Sequence, residues 1–196
     1  MYDLGLQVGD VCKQINFASK LGFKGVAFTR TLNGLTRDNL QKVAPPDVNC
    51  NTDLVTSIYK LRDPLDIELS NTPKFTVFFR LHVVLNEVSD LTLLHSFLKL
   101  SQNSKSDQFH IISVEIKSEK VLNNLLNLPS RLVDIIRIGL NTWDGFIKLK
   151  RKQINRLVQL GYMFELSFLP VLLSVENVSF TGQIAVHYLR YIKAEN

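Results

Sequence analysis

Hydrophobic residues recur along this chain with two different periods, one typical of strands and one typical of helices. Together they predict strands that alternate with helices. Apolar runs or two-residue alternation, typical of strands, occur at six places: Tyr2–Val8, Val26–Arg30, Phe75–Asn86, Phe109–Ile116, Leu132–Gly139 and Tyr162–Leu169. Apolar residues three or four apart, typical of helices, occur at five: Val11–Leu21, Leu91–Leu100, Glu119–Asn127, Gln153–Leu160 and Gly182–Lys193. This succession predicts an α/β fold in which helices connect parallel strands.

Local signals place the starts of two helices. Asp10 precedes the first helix, and Ser89 or Asp90 is expected to cap the helix that follows Asn86. In the first helix, 3.6-residue spacing gives an apolar stripe of four residues: Val11, Ile15, Ala18 and Leu21. We expect this stripe to face the sheet.

The number of strands bounds the architecture. A closed barrel of eight parallel strands usually takes about 250 residues, whereas this chain has 196 residues and six predicted strands. The sequence therefore predicts a TIM-barrel-like parallel barrel that is incomplete. We expect one barrel domain over residues 1–196, with an irregular excursion at 31–73 that contains short helices around Arg37–Val43 and Thr52–Lys60.

Composition is that of a globular protein, with 45% hydrophobic and 21% charged residues. No apolar run reaches the ~20 residues of a membrane span, and the N-terminal sequence lacks the layout of a signal peptide. Cys12 and Cys50 show neither metal-binding spacing nor a disulfide framework, so we expect two free thiols in a reducing compartment.

Charge is distributed unevenly between the two halves of the chain. Residues 1–98 contain ten basic and ten acidic side chains, so the whole net charge of +5 lies in residues 99–196. A nine-residue stretch, here called the basic segment, holds five of these cations: Lys148, Lys150, Arg151, Lys152 and Arg156. Concentrated positive charge on a near-neutral framework indicates a polyanion partner, most often nucleic acid, although such runs are also common on solvated helix faces.

A second group of cations is predicted at the carboxyl ends of strands, where barrel proteins place their functional residues. Lys117 and Lys120 follow the strand Phe109–Ile116, and Arg30 ends the strand Val26–Arg30. We interpret these three residues as a second RNA-binding patch.

Alternation along the strands predicts four charged side chains in the barrel interior: Arg80, Glu115, Arg137 and Glu165. Two arginines and two glutamates can neutralise one another, so a buried ion-pair network that fixes strand register is one interpretation. A catalytic constellation is the alternative, but charge-balanced networks perturb pKa values without implying turnover, so we assign the four residues to a structural interior network.

Motifs for enzymatic chemistry are weak. The four histidines (His82, His95, His110 and His187) form no HxH or HxxxH pair, and the sequence has neither a GxSxG elbow nor a glycine-rich phosphate loop. Two alternatives to an RNA-binding protein stay open: a metal-dependent phosphoesterase on the same barrel, and a protein-interaction scaffold whose cations are merely solvated.

Several segments, in order, resemble the thirty-kilodalton (Rpp1-type) protein subunit of ribonuclease P: YDLGLQV, ASKLGFKGVAF, RLHVVLNEVSDLTLL, HIISVEIKSEKVL, RLVDIIRI and FIKLKRKQINRLVQLGYMFELSFLPVL. The resemblance covers most of the chain outside the excursion. Its characteristic motifs fall on Arg80-Leu81, Ser118-Glu119-Lys120 and Phe164-Glu165-Leu166.

The resemblance implies a barrel of the polymerase-and-histidinol-phosphatase (PHP) type that serves as a noncatalytic RNA-binding scaffold in precursor tRNA 5′-end processing. It implies no catalytic residues and no metal or other cofactor in this chain, since chemistry in such particles belongs to Mg²⁺ bound by the RNA. The implied partners are the catalytic RNA of ribonuclease P, a Pop5-type protein subunit and other ribonucleoprotein subunits, with precursor tRNA contacted indirectly. Related eukaryotic subunits also serve in ribonuclease MRP, which implies nuclear, nucleolar localisation and a part in rRNA processing.

Overall fold

The computed structural model describes residues 2–7, 11–45, 65–67, 75–99, 109–138 and 149–166, together with the helical residues Gly182 and Val186. Seven strands are present in the described residues: β1 (Tyr2–Gln7), β2 (Gly25–Asn33), β3 (Leu65–Ile67), β4 (Phe75–Leu85), β5 (Ile111–Ile116), β6 (Ile135–Ile138) and β7 (Met163–Leu166). Five helices accompany them: α1 (Val11–Lys20), α2 (Arg37–Lys42), α3 (Val88–Lys99), α4 (Glu119–Leu126) and α5 (Arg151–Gln159).

All seven strands belong to one hydrogen-bonded sheet with the order β1-β2-β4-β5-β6-β7, to which β3 adds an antiparallel pairing with β4. β1 pairs with β2, β5 with β6, and β6 with β7, each in parallel. The predicted α/β class is therefore confirmed, and the parallel sheet with helices between its strands is consistent with an incomplete TIM-barrel-like fold.

The chain forms two compact units that interleave along the sequence. Unit 1 comprises Met1–Val83 and Leu94–Ile112, and unit 2 comprises Val84–Leu93 and Ser113–Asn196. No helix in the described part of the chain is long and apolar enough to cross a membrane.

In unit 1, α1 is in contact with β2, and most of its predicted apolar stripe is buried. Val11, Ile15 and Ala18 are buried, but Leu21 is exposed because the helix ends at Lys20, one residue before the stripe would continue. Consecutive residues of β2 and β4 are buried, as expected for strands covered on both sides: Val26, Ala27 and Phe28, then Phe79, Arg80, Leu81, His82 and Val83.

The core of unit 2 is built from the apolar faces of short helices and strands. Val121, Leu122 and Leu125 of α4 are buried, as are Ile154 and Leu157 of α5, at the spacing of one helix face. The buried strand residues of this unit include Val114, Ile135 and Ile136. The two helices are in contact with each other within this unit.

Several predicted boundaries are wrong. α3 begins at Val88 rather than Leu91, because the carboxylate of Asp90 reaches back from inside the helix and accepts hydrogen bonds from the backbone N–H groups of Asn86 (2.9 Å) and Glu87 (3.1 Å). β2 continues to Asn33, and α5 begins at Arg151 rather than Gln153.

The excursion at 31–73, predicted to be irregular, contains more secondary structure than expected. It contains the end of β2, the predicted helix α2 and the unpredicted strand β3. Thr36 and Asn39 stabilise the start of α2, because the side chain of each accepts a hydrogen bond from the other's backbone N–H, at 3.2 and 2.9 Å. The predicted helix Thr52–Lys60 lies outside the described residues.

Candidate nucleic-acid interface

The basic segment lies on α5 and on the residue that precedes it. Lys150 has an extended backbone, and Gln153 accepts a hydrogen bond from the Lys150 N–H at 2.8 Å through its side-chain oxygen, which satisfies one of the free donors at the helix start. Arg151 and Lys152 therefore belong to the first helical turn. Lys148 lies outside the described residues.

Two apolar residues of α5 are buried, whereas its cations are exposed. Ile154 and Leu157 are fully buried, whereas Arg151, Lys152 and Arg156 are exposed on the rest of the helix surface. A helix that buries its apolar stripe in this way holds its charged face in solvent, where it is available to a polyanion.

The C-terminal end of α5 is fixed by a Schellman motif. Gly161 N–H donates to Val158 O at 2.8 Å and Tyr162 N–H to Leu157 O at 3.1 Å, while Gly161 takes the left-handed conformation with φ of 79°. Arg131 adds a hydrogen bond from Nη1 to Gly161 O at 3.0 Å. The helix that carries the cations thus has a defined start and a defined end.

α4 extends the exposed polar surface next to α5. Gln153 Nε2 donates to Asn123 Oδ1 at 3.2 Å, which links the two helices. Ser118 caps α4 by accepting a hydrogen bond from Val121 N–H at 3.3 Å, and Lys120 is exposed in the first turn. Lys120 and the α5 cations therefore lie on two connected helices of the same unit.

Lys117 is engaged in an ion pair within the protein. Its ammonium group forms an ion pair with Glu115, a carboxylate only 10% exposed, and the Lys117 side chain is 37% exposed. A phosphate that binds Lys117 would compete with this carboxylate. Arg30 is exposed on β2 in unit 1, so of the predicted second patch only Lys117 and Lys120 share a unit.

The predicted interior charges lie in register across three strands of unit 2. Glu115, Arg137 and Glu165 are Cα partners in β5, β6 and β7, and Arg137 Nε lies 3.9 Å from Glu115 Oε2. Arg80 is buried on β4 in unit 1, with 2% of its surface exposed. The structure brings Glu115, Lys117 and Arg137 together as an alternating row of charges.

The described histidines are dispersed. His82 is buried on β4, and His95 lies on α3. His110 precedes β5 in unit 1, where its Nδ1 accepts a hydrogen bond from Phe79 N–H at 2.9 Å and its ring contacts Phe78 edge-on. Among the described residues, no three His, Cys, Asp or Glu side chains lie close enough to hold a metal ion. His187 is outside them.

Sequence reasoning missed the residues that hold the cation-bearing helices in place. Asn123 and Arg131 form hydrogen bonds with Gln153 and Gly161, in segments about 30 residues away, which no local pattern reveals. The glycine turns after α1 and α5 do have a sequence signal, since Gly22 and Gly161 each follow a helical period directly.

Comparison with known protein families identifies the family to which the chain belongs. The family described as RNase P subunit p30 matches residues 1–195, which is all but the last residue of the sequence. The chain therefore belongs to the RNase P subunit p30 family, and the predicted resemblance is confirmed. Comparison with curated proteins finds no match.

Proposed function

We propose that this chain is a noncatalytic, RNA-binding protein subunit of the ribonuclease P ribonucleoprotein, which supports the catalytic RNA during 5′-end processing of precursor tRNA. The observation that carries the proposal is the exposed cationic start of α5, at Lys150, Arg151 and Lys152, on a helix that buries Ile154 and Leu157. Membership of the RNase P subunit p30 family supports the identity of the particle.

In this proposal the basic segment binds RNA through electrostatic contacts with phosphates. Each Lys or Arg that neutralises a phosphate releases a condensed counterion, so a few such contacts supply much of the affinity for RNA. The cations of the basic segment would contact the phosphate backbone: Lys150, Arg151, Lys152 and Arg156, with Lys148 just before them. Lys120 on the neighbouring α4 would extend the contact. Lys117 and Arg30 are weaker candidates, because Lys117 is paired with Glu115 and Arg30 belongs to unit 1.

The same proposal covers partners and location. Other subunits of the particle, among them a Pop5-type protein, would bind this chain, and Mg²⁺ held by the RNA would supply the chemistry, with no cofactor in the chain. Membership in ribonuclease MRP, a part in rRNA processing and a nucleolar location are proposed as for eukaryotic subunits of this type.

The first experiment is affinity purification of the tagged chain from its native cells, followed by sequencing of the co-purified RNA. We expect enrichment of one structured ribonuclease P RNA together with protein subunits of the particle. Recovery of proteins with no defined RNA would overturn the proposal and favour the protein-interaction scaffold.

A second experiment assigns the interface. The variant Lys150→Glu/Arg151→Glu/Lys152→Glu is expected to lose at least about tenfold in affinity for the purified RNA, measured by filter binding with the full chain. The matched control reverses three exposed cations of unit 1, Lys20→Glu/Lys24→Glu/Lys42→Glu, and is expected to retain most of the affinity. Equal losses in both variants would show that net charge, not this segment, governs binding.

A further inference from the structure

Two apolar side chains are exposed together at the C-terminal end of α1. Phe17 is 65% and Leu21 55% exposed, whereas Val11, Ile15 and Ala18 of the same segment are buried. The two positions are one helical turn apart, and Leu21 N–H donates to Phe17 O at 3.0 Å. A single exposed apolar residue is ordinary, whereas two large neighbours on one face form a small apolar patch of the kind that can anchor a partner.

Two cations are close to this pair in the sequence. Lys20 and Lys24 are exposed, one and three residues from Leu21, and residues 11–30 contain no aspartate or glutamate. We call Phe17, Lys20, Leu21 and Lys24 the α1 surface. Apolar anchors flanked by cations are complementary to a segment that offers apolar side chains flanked by carboxylates.

The backbone that carries the α1 surface is preorganised. Gly22, with φ of 80°, ends the helix in a Schellman motif: Gly22 N–H donates to Ser19 O at 3.0 Å and Phe23 N–H to Ala18 O at 3.1 Å. The motif fixes Leu21 directly at the helix end. A surface whose backbone is already ordered loses less conformational entropy when a partner binds.

We propose that the α1 surface docks an acidic segment of a partner protein, with apolar side chains against Phe17 and Leu21 and carboxylates against Lys20 and Lys24. RNA fits less well, because a nucleotide can stack on Phe17 and place phosphates near the lysines but offers no counterpart for the aliphatic Leu21. The inference goes beyond the proposed RNA contact, which uses a different helix, and does not depend on it.

Photochemical cross-linking at position 17 tests the inference. The tagged full-length chain carrying Phe17→p-benzoylphenylalanine is irradiated in its native cells and purified, and the adduct is identified by mass spectrometry. The expected adduct is a peptide of another protein that contains both acidic and apolar residues. Its yield should fall at least about fivefold with Leu21→Ser and with Lys20→Glu/Lys24→Glu, because each variant removes one half of the complementarity.

The matched control, Arg37→Glu/Lys42→Glu, reverses two exposed cations on α2 of the same unit and should leave the yield unchanged. An adduct to RNA, to a second copy of this chain or to nothing overturns the inference, as does a yield insensitive to the first two variants. The RNA in the same preparation reports on the proposed function separately: absence of ribonuclease P RNA counts against that function while a protein adduct still supports the docking surface.

Discussion

Tyr162 makes the stability of unit 2 sensitive to alkaline pH. Burial raises the pKa of its phenol, while the hydrogen bond that its oxygen accepts from Leu132 N–H (3.1 Å) and the charge of Arg131 act in the opposite direction. A phenol whose pKa is higher in the folded state than in the unfolded state binds its proton more tightly when folded. Its contribution is therefore complete below the ordinary pKa of about 10 and is lost as the pH rises above it.

We predict that the free energy of unfolding of the wild type falls more steeply above about pH 10 than that of Tyr162→Phe. At about pH 7 the same substitution should cost about 1 kcal/mol, because Leu132 N–H loses its acceptor. Urea denaturation across roughly pH 7 to 11 measures both effects. Parallel curves for the two proteins would contradict a buried phenol that resists ionisation.

Residue alternation predicted Glu115, Arg137 and Glu165 on the interior faces of their strands, and the parallel pairing of β5, β6 and β7 makes the three residues Cα partners. It did not predict that Lys117 pairs with Glu115, since Lys117 lies just beyond the end of β5, where the pleat no longer fixes the direction of a side chain. A cation proposed from sequence as a phosphate ligand is thus partly engaged within the protein.

At the scale of elements, the two Schellman turns should dominate local stability at the helix ends. Gly22→Ala is predicted to destabilise the protein by about 1 kcal/mol, because alanine is unfavourable in the left-handed conformation of this residue. Steric overlap adds nothing to this cost, since a Cβ at this position meets no atom within 4 Å. Gly182→Ala is the matched control: it also meets no atom within 4 Å, but it lies in a helix without positive φ. It should be neutral or stabilising by up to about 1 kcal/mol. Equal effects in thermal denaturation would contradict this assignment.

Elements with strong hydrophobic periods were predictable, and those defined by single hydrogen bonds were not. The six predicted strands follow from apolar runs, whereas β3 has only three residues and exists through its pairing with β4. The starts of α3 and α5 depend on Asp90 and Gln153, whose side chains reach back to cap the helix from its first turn. The same dependence explains why Arg151 and Lys152, which precede the predicted helix Gln153–Leu160, belong to α5.

For the whole molecule, the position of the positive charge matters more than its amount. Unit 1 has exposed cations too, at Lys20, Lys24 and Lys42, so a purely nonspecific polyanion binder would use both units. The proposed function instead assigns the phosphate contacts mainly to unit 2, and the separate inference above assigns a protein contact to α1. The two assignments give different salt dependences, because only phosphate contacts release RNA counterions.

We predict that Arg151→Gln/Lys152→Gln/Arg156→Gln lowers the slope of log affinity against log salt for the purified RNA by roughly two to three, since each phosphate neutralised contributes about 0.7–0.9 to that slope. Lys20→Gln/Lys24→Gln/Lys42→Gln removes the same charge from unit 1 and should change the slope by less than about one. Titrations of the full chain with RNA at several salt concentrations measure both slopes. If the two variants changed the slope equally, net charge alone would explain binding. That result would contradict the assignment of the α5 cations as the RNA interface.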